Sequence, residues 1–209
     1  VLLELFGEYG KQTDIEAIME GKRGGLTPLN EDFYNARLVA TNEISKNHRF
    51  NETMVKGLTG NDKVHCNPKN RDPFSFAPTH KLWIFGNNKP KGNGDDDAFW
   101  DRMNLISFDK TIPDDVRKPM EVVLAEFREE LPGILNWAMD GLKLYQRDGL
   151  KQPDKIKRDT QEYRGENDWF TQFITEECTM ALELSVRKDT LLNSYNSFLR
   201  DSGEAPATN

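Results

Sequence analysis

The chain has 209 residues, 36% of them hydrophobic and 30% charged, with a formal net charge of -7; that suits one globular core, or one domain and a fraction. No apolar run approaches the length of a membrane span and no basic region precedes the apolar residues at the start, so the expectation is a cytoplasmic protein without a membrane partner. The acidic total argues against general nucleic-acid binding, and Cys66 and Cys178, far apart in the sequence, predict two free thiols in a reducing compartment.

In chain order, Leu2, Leu3, Leu5 and Phe6 followed by Gly7 read as the last turns of a helix. Residues 13–20 suit a short amphipathic helix capped by Thr13 or Asp14, and 22–30, with two glycines and a proline, a loop. The apolar run from Leu38 to Ala40 then predicts a strand that ends at Glu43. Residues 52–58 predict a short helix stopped by Gly60, and 56–62 (Lys-Gly-Leu-Thr-Gly-Asn-Asp) a turn rich in oxygens with one cation. A hairpin with a basic tip follows, its second arm at 73–76.

Leu82-Trp-Ile-Phe-Gly-Asn87 is the second strand of this kind. A continuous apolar run bounded by Gly and Pro fits a core strand of a parallel sheet, and ligands gather beyond the carboxyl ends of such strands. Glu43 and Asn87 should therefore share one rim. Between residues 46 and 91 lie nine Lys or Arg against three acids, a local +6 that leaves -13 for the rest. A basic region set in an acidic body suits a protein that grips a polyanion at one place.

Beyond the second strand, Phe99 and Trp100 should anchor a turn in the core and fix Arg102. Residues 105–108 predict a further short strand. From Pro113 onward the pattern is helical: an apolar stripe over 116–131, an interruption at Pro132 and Gly133, and a second amphipathic helix closed by Gly149. Pro153 marks a composition shift, after which 154–164, 167–181 and 188–200 predict three helices and 204–209 a tail with little structure.

Taken together, the strand ending in Glu43, the 56–62 stretch, Phe74-Ser-Phe-Ala-Pro78, the strand ending in Asn87, and Phe99-Trp-Asp-Arg102 resemble the superfamily 3 helicase domain of phage and plasmid primase-helicases, the family that includes the poxvirus primase-helicase. The resemblance is good over residues 30–150 and looser to about 198. It implies an α/β fold with an AAA+-like parallel sheet core and helices, followed by an all-helical C-terminal part. The expected division is a helicase core over 1–112, a helical closure over 113–150 and a helical region over 151–209 that begins a winged-helix domain.

The resemblance further implies ATP and Mg²⁺ as cofactors and a hexameric ring that translocates on single-stranded DNA beside a primase, in the cytoplasm of a bacterial host. Glu43 matches the Walker B acid, Asn87 the sensor amide, and Arg102 the arginine finger offered to a neighbouring subunit. Lys56, Lys63, His65, Lys69 and Arg71 become the candidate DNA-contacting residues. Three features depart from the family pattern. No Gly-Lys-Ser/Thr phosphate-binding loop occurs, and its expected place lies before Val1; Asp101 stands where a first finger arginine is common; Asn67 stands where a basic residue is common. The alternative reading is a non-enzymatic prophage remnant that binds DNA or oligomerises.

Overall fold

The computed structural model describes residues 1–21, 31–41, 43–44, 48–68 and 71–207. Three short strands form a parallel sheet in the order β1 (Gly10–Thr13), β2 (Leu38–Thr41), β5 (Lys81–Trp83). Leu38 pairs with Gly10 on one side and Lys81 on the other. Every residue of β2 is buried, as expected of a central strand covered on both faces, and this is why its sequence lacks alternation. The outer strand β5 turns Lys81 and Trp83 outward.

Helix α1 (Leu2–Phe6) leads into the sheet through Gly7 at φ 55, a conformation that costs a glycine little. A 3₁₀ turn at Ile15–Ile18 follows β1, and the Asp14 carboxylate accepts from the amide of Glu16 as its cap. Helix α2 (Glu52–Thr59) is capped by Asn51, whose side chain accepts from the amide of Met54 at 3.0 Å, and it buries Val55 and Leu58. A two-stranded antiparallel hairpin, β3 (Val64–Cys66) with β4 (Phe74–Phe76), sets His65 opposite Ser75. The core gathers Ile18, Met19, Phe33, Val39, Phe50, Leu58, Cys66, Phe99 and Trp100 in one cluster. Burying each of the larger of these contributes about 1.5–3 kcal/mol.

Phe99 and Trp100, in the one-turn helix α3 (Asp97–Trp100), are both buried, as the sequence predicts. The Trp100 indole donates to the carbonyl of Asn93 at 2.8 Å. Cys66 is buried and Cys178 half-buried, and no disulfide joins them.

The C-terminal part is helical: α4 (Met120–Asp148), α5 (Asp154–Gly165), α6 (Trp169–Glu177) and α7 (Lys188–Asp201). The fold is thus α/β, a small parallel sheet with helices followed by a helical region. No helix among the described residues is long and apolar enough to cross a membrane.

The structure corrects three local expectations. Residues 105–108 form no strand; the amide of Leu105 donates to the Thr160 hydroxyl of α5 at 2.9 Å, so a side chain satisfies what a neighbouring strand would. Pro132 does not divide the helices: α4 runs through it for 29 residues, because one proline removes one backbone hydrogen bond and kinks a helix without ending it. Finally, β1 arises where the sequence suggests only a helix stop, its polar Gly-Lys-Gln-Thr burying Thr13 alone.

Candidate functional site

The site is assembled from the carboxyl ends of two adjacent parallel strands. Residues 43 and 44 follow β2, and 84–88 follow β5. The Asn87 side-chain amide donates to Glu43 Oε1 at 2.9 Å, and the Asn88 amide donates to the carbonyl of Ile44 at 3.0 Å. Gly86 permits this approach: a Cβ there would lie 3.0 Å from Ile44 Cγ1 and 3.1 Å from two further atoms of that side chain. Ile44 is itself buried, so the two strand ends are held by packing beneath and hydrogen bonds above. Glu43 and Asn87 are both exposed.

With Oε1 engaged by the amide, Glu43 Oε2 is left to face solvent chemistry. A single carboxylate beside an amide suits a water or a phosphate-held Mg²⁺, since that ion is usually bound through one or two carboxylates together with substrate phosphates. No group of three or more His, Cys, Asp or Glu able to hold a metal occurs among the described residues.

Arg102 is not brought to this pair. It lies just beyond α3, exposed, and its guanidinium donates to the carbonyl of Ala98. The strand-end pair and Arg102 thus form separate features of the chain.

The candidate DNA-contacting residues divide. His65 Nδ1 lies 3.3 Å from the Ser75 hydroxyl across the hairpin, and Lys63 and His65 are exposed. Arg71 pairs with Glu31 at 2.6 Å, and Lys56 pairs with Asp96. Lys69 lies outside the described residues. The local excess of cations is therefore largely answered within the fold: Arg49 and Lys91 meet Glu204, and Lys89 meets Glu166 at 2.7 Å.

Around α2 the carboxyls respond to their surroundings in opposite directions. Burial pushes the Glu52 carboxyl up, while the hydrogen bond from Lys56 holds Asp96 below the usual carboxylate range. Glu52 Oε1 accepts from the amide of Asn93 at 2.5 Å, so this group organises the loop after the second strand rather than facing the strand-end site.

That loop, 89–97, is docked on the helical region. The buried Tyr163 hydroxyl donates to the carbonyl of Pro90, Asn167 Oδ1 accepts from the amide of Gly92 at 2.9 Å, and Arg164 donates to the carbonyl of Gly94 at 2.8 Å. Sequence reasoning missed these anchors. Single polar residues on an otherwise ordinary helix or in the turn after it carry no pattern, and only Tyr163, at an apolar position of α5, hints at burial.

Residues 2–102 match the model of a family of unknown function, DUF5906. The chain is 26% identical over 190 residues to "Putative helicase L207/L206" of Acanthamoeba polyphaga mimivirus, an alignment covering 80% of this chain and 19% of that protein. It is also 26% identical over 157 residues to "Putative helicase 022R" of Frog virus 3 (isolate Goorha), covering 67% of this chain and 16% of that protein. The chain is related to viral proteins named as helicases. It spans less than a fifth of the length of these two curated relatives. The family match ends at Arg102, so it contains the strand-end pair, the hairpin and α3 and leaves the C-terminal helices outside.

Proposed function

We propose that this chain is part of an ATP-dependent DNA helicase of the superfamily 3, primase-helicase type, with Glu43 and Asn87 at the hydrolytic site. The observation that carries the reading is the 2.9 Å hydrogen bond joining these two side chains at the ends of adjacent parallel strands. In phosphoryl transfer the protein's work is positioning and electrostatics, and it needs a carboxylate oriented toward the attacking water. The Asn87 amide fixes the rotamer of Glu43 and leaves one oxygen to accept a proton from that water. As Asn87 presents a second N–H, the same amide can also hydrogen-bond a terminal phosphate.

Glu43 is the residue that would hold Mg²⁺, which supplies charge neutralisation on the phosphates when bound. Arg102 fits a role in trans: exposed and hydrogen-bonded to Ala98 rather than to either member of the pair, it is available to a neighbouring copy's nucleotide, where a guanidinium offsets developing charge. Lys63 and His65, on the exposed face of the hairpin, fit contact with the backbone of single-stranded DNA. The similarity to two viral proteins named as helicases supports the helicase class. The test is single-strand-stimulated ATP hydrolysis by the full-length gene product with Arg102→Ala: activity should fall in the assembled enzyme and recover partly on mixing with Glu43→Gln subunits. An Arg102→Ala enzyme as active as the parent removes the finger from the scheme.

A further inference from the structure

Arg49 and Lys91 lie side by side on paired backbone. The two residues form a parallel β-bridge, the amide of Lys91 donates to the carbonyl of His48 at 2.8 Å, and the amide of Phe50 donates to the carbonyl of Lys91 at 2.9 Å. Arg49 is steadied further by its Nη1–H, which points to the carbonyl of Gly92 at 3.4 Å. Both cations converge on a single carboxylate from the far end of the chain. Arg49 Nη2 lies 2.7 Å from Glu204 Oε2, Lys91 Nζ pairs with Glu204 Oε1, and the Glu204 side chain is only 8% exposed.

The carboxylate is delivered by the tail after α7. Gly203 adopts φ 74, the amide of Glu204 turns back to the carbonyl of Leu199 at 2.8 Å, and the amide of Ala207 donates to Asn196 Oδ1 at 2.7 Å. Other cations that contact the loop or helix around them are matched one to one: Lys56 with Asp96, Lys89 with Glu166, Arg164 with Asp97. Among the described residues, Arg49 and Lys91 share one negative charge between them. A phosphate offers more acceptor oxygens and as much or more charge in the same place, and Arg in particular matches its geometry.

We propose that Arg49 and Lys91 form a phosphate-binding cradle that the segment after α7 occupies in this structure, with Glu204 standing in for the phosphate. Tail and ligand then compete for the same two cations. Tethering keeps the internal carboxylate at high effective concentration, so the cradle stays filled until a multivalent phosphate ligand displaces it. The phosphate belongs to the backbone of a single-stranded nucleic acid if the function proposed above holds; the cradle itself is defined by the two cations and not by that reading.

The experiment measures binding of a short oligothymidylate, and separately of inorganic pyrophosphate, to the intact chain and to Glu204→Gln. With one cation pair released, Glu204→Gln should bind the oligonucleotide roughly tenfold more tightly through charge-assisted contacts, and its log K against log [salt] should steepen by about 0.7 for each phosphate gained. Arg49→Ala and Lys91→Ala placed in the Glu204→Gln background should abolish the gain. A gain confined to pyrophosphate keeps the cradle and removes the nucleic-acid reading of its ligand. No gain with either probe, in a variant that unfolds cooperatively, overturns the proposal and leaves Glu204 as a structural latch. Should Glu204→Gln fail to fold, trypsin cleavage after Arg200 in the unaltered chain decides: either probe should accelerate it by displacing the tail, and an unchanged rate under both overturns the proposal.

Discussion

Gly94→Ala tests how the helical region is held to the sheet region. A Cβ at Gly94 would lie 2.6 Å from Asp168 Cα and 2.8 Å from both its Cβ and its amide nitrogen. Two of those three atoms are backbone at the N-cap of α6, so no rotamer change relieves the clash. The loop must withdraw, which lengthens the bond from the amide of Gly94 to the carbonyl of Asn167, now 3.2 Å, and disturbs the Arg164 and Asn167 contacts to residues 92 and 94. Overpacking of this kind costs about 2–3 kcal/mol. In a domain of this size that lowers Tm by about 4–12 °C. Thermal unfolding followed by circular dichroism reads the shift, and Gly133→Ala is the matched control. At Gly133, within α4, an added Cβ meets nothing within 4 Å, so the substitution should raise stability by about 0.5–1 kcal/mol through helix propensity. A Gly94→Ala protein that melts within about 1 °C of the parent would refute the docking of the 89–97 loop against α5 and α6.

Phe99→Ala removes a fully buried ring that sits 5.3 Å from both Phe50 and Trp100; the loss should be about 3–5 kcal/mol, read as a lowered denaturant midpoint at constant m. His80 is buried against Phe33, and burial pushes its imidazole below the usual range. The unfolded chain therefore binds the proton more readily, so stability should fall as pH drops below about 6.5, and His80→Phe should flatten that dependence. Pro132→Ala should restore the missing backbone hydrogen bond of α4 and increase its resistance to proteolysis, since an interior proline costs about 3 kcal/mol.

The elements with a strong local signal were legible. The burial of β2, the Asp14 cap, the hairpin and the anchoring of Phe99 and Trp100 all follow from apolar runs, capping residues and turn chemistry within a few positions. Failures occur where the deciding partner is distant. Residues 105–108 look like a strand by composition, yet the amide of Leu105 is taken by the hydroxyl of Thr160, some fifty positions later. β1 is polar at three of four positions and becomes a strand because β2 offers it an edge.

The same distinction governs the site. The pattern of two apolar runs ending in polar residues predicts that Glu43 and Asn87 share a rim, and the parallel register of β2 and β5 brings them into contact. The excess of basic residues over 46–91 is visible in the sequence, but their partners are not. Glu31, Asp96, Glu166 and Glu204 come from across the chain, and charge counting within a window is blind to them. Glu204 in particular lies in a tail whose composition suggests no structure at all.

The central claim rests on Glu43. The most direct measurement is ATP hydrolysis stimulated by single-stranded DNA, made on the full-length gene product and on its Glu43→Gln form, alongside binding of the nucleotide. Loss of a positioned catalytic base should reduce turnover by about 10²–10⁴-fold while nucleotide binding changes little. Hydrolysis at the parent rate in Glu43→Gln would contradict the account.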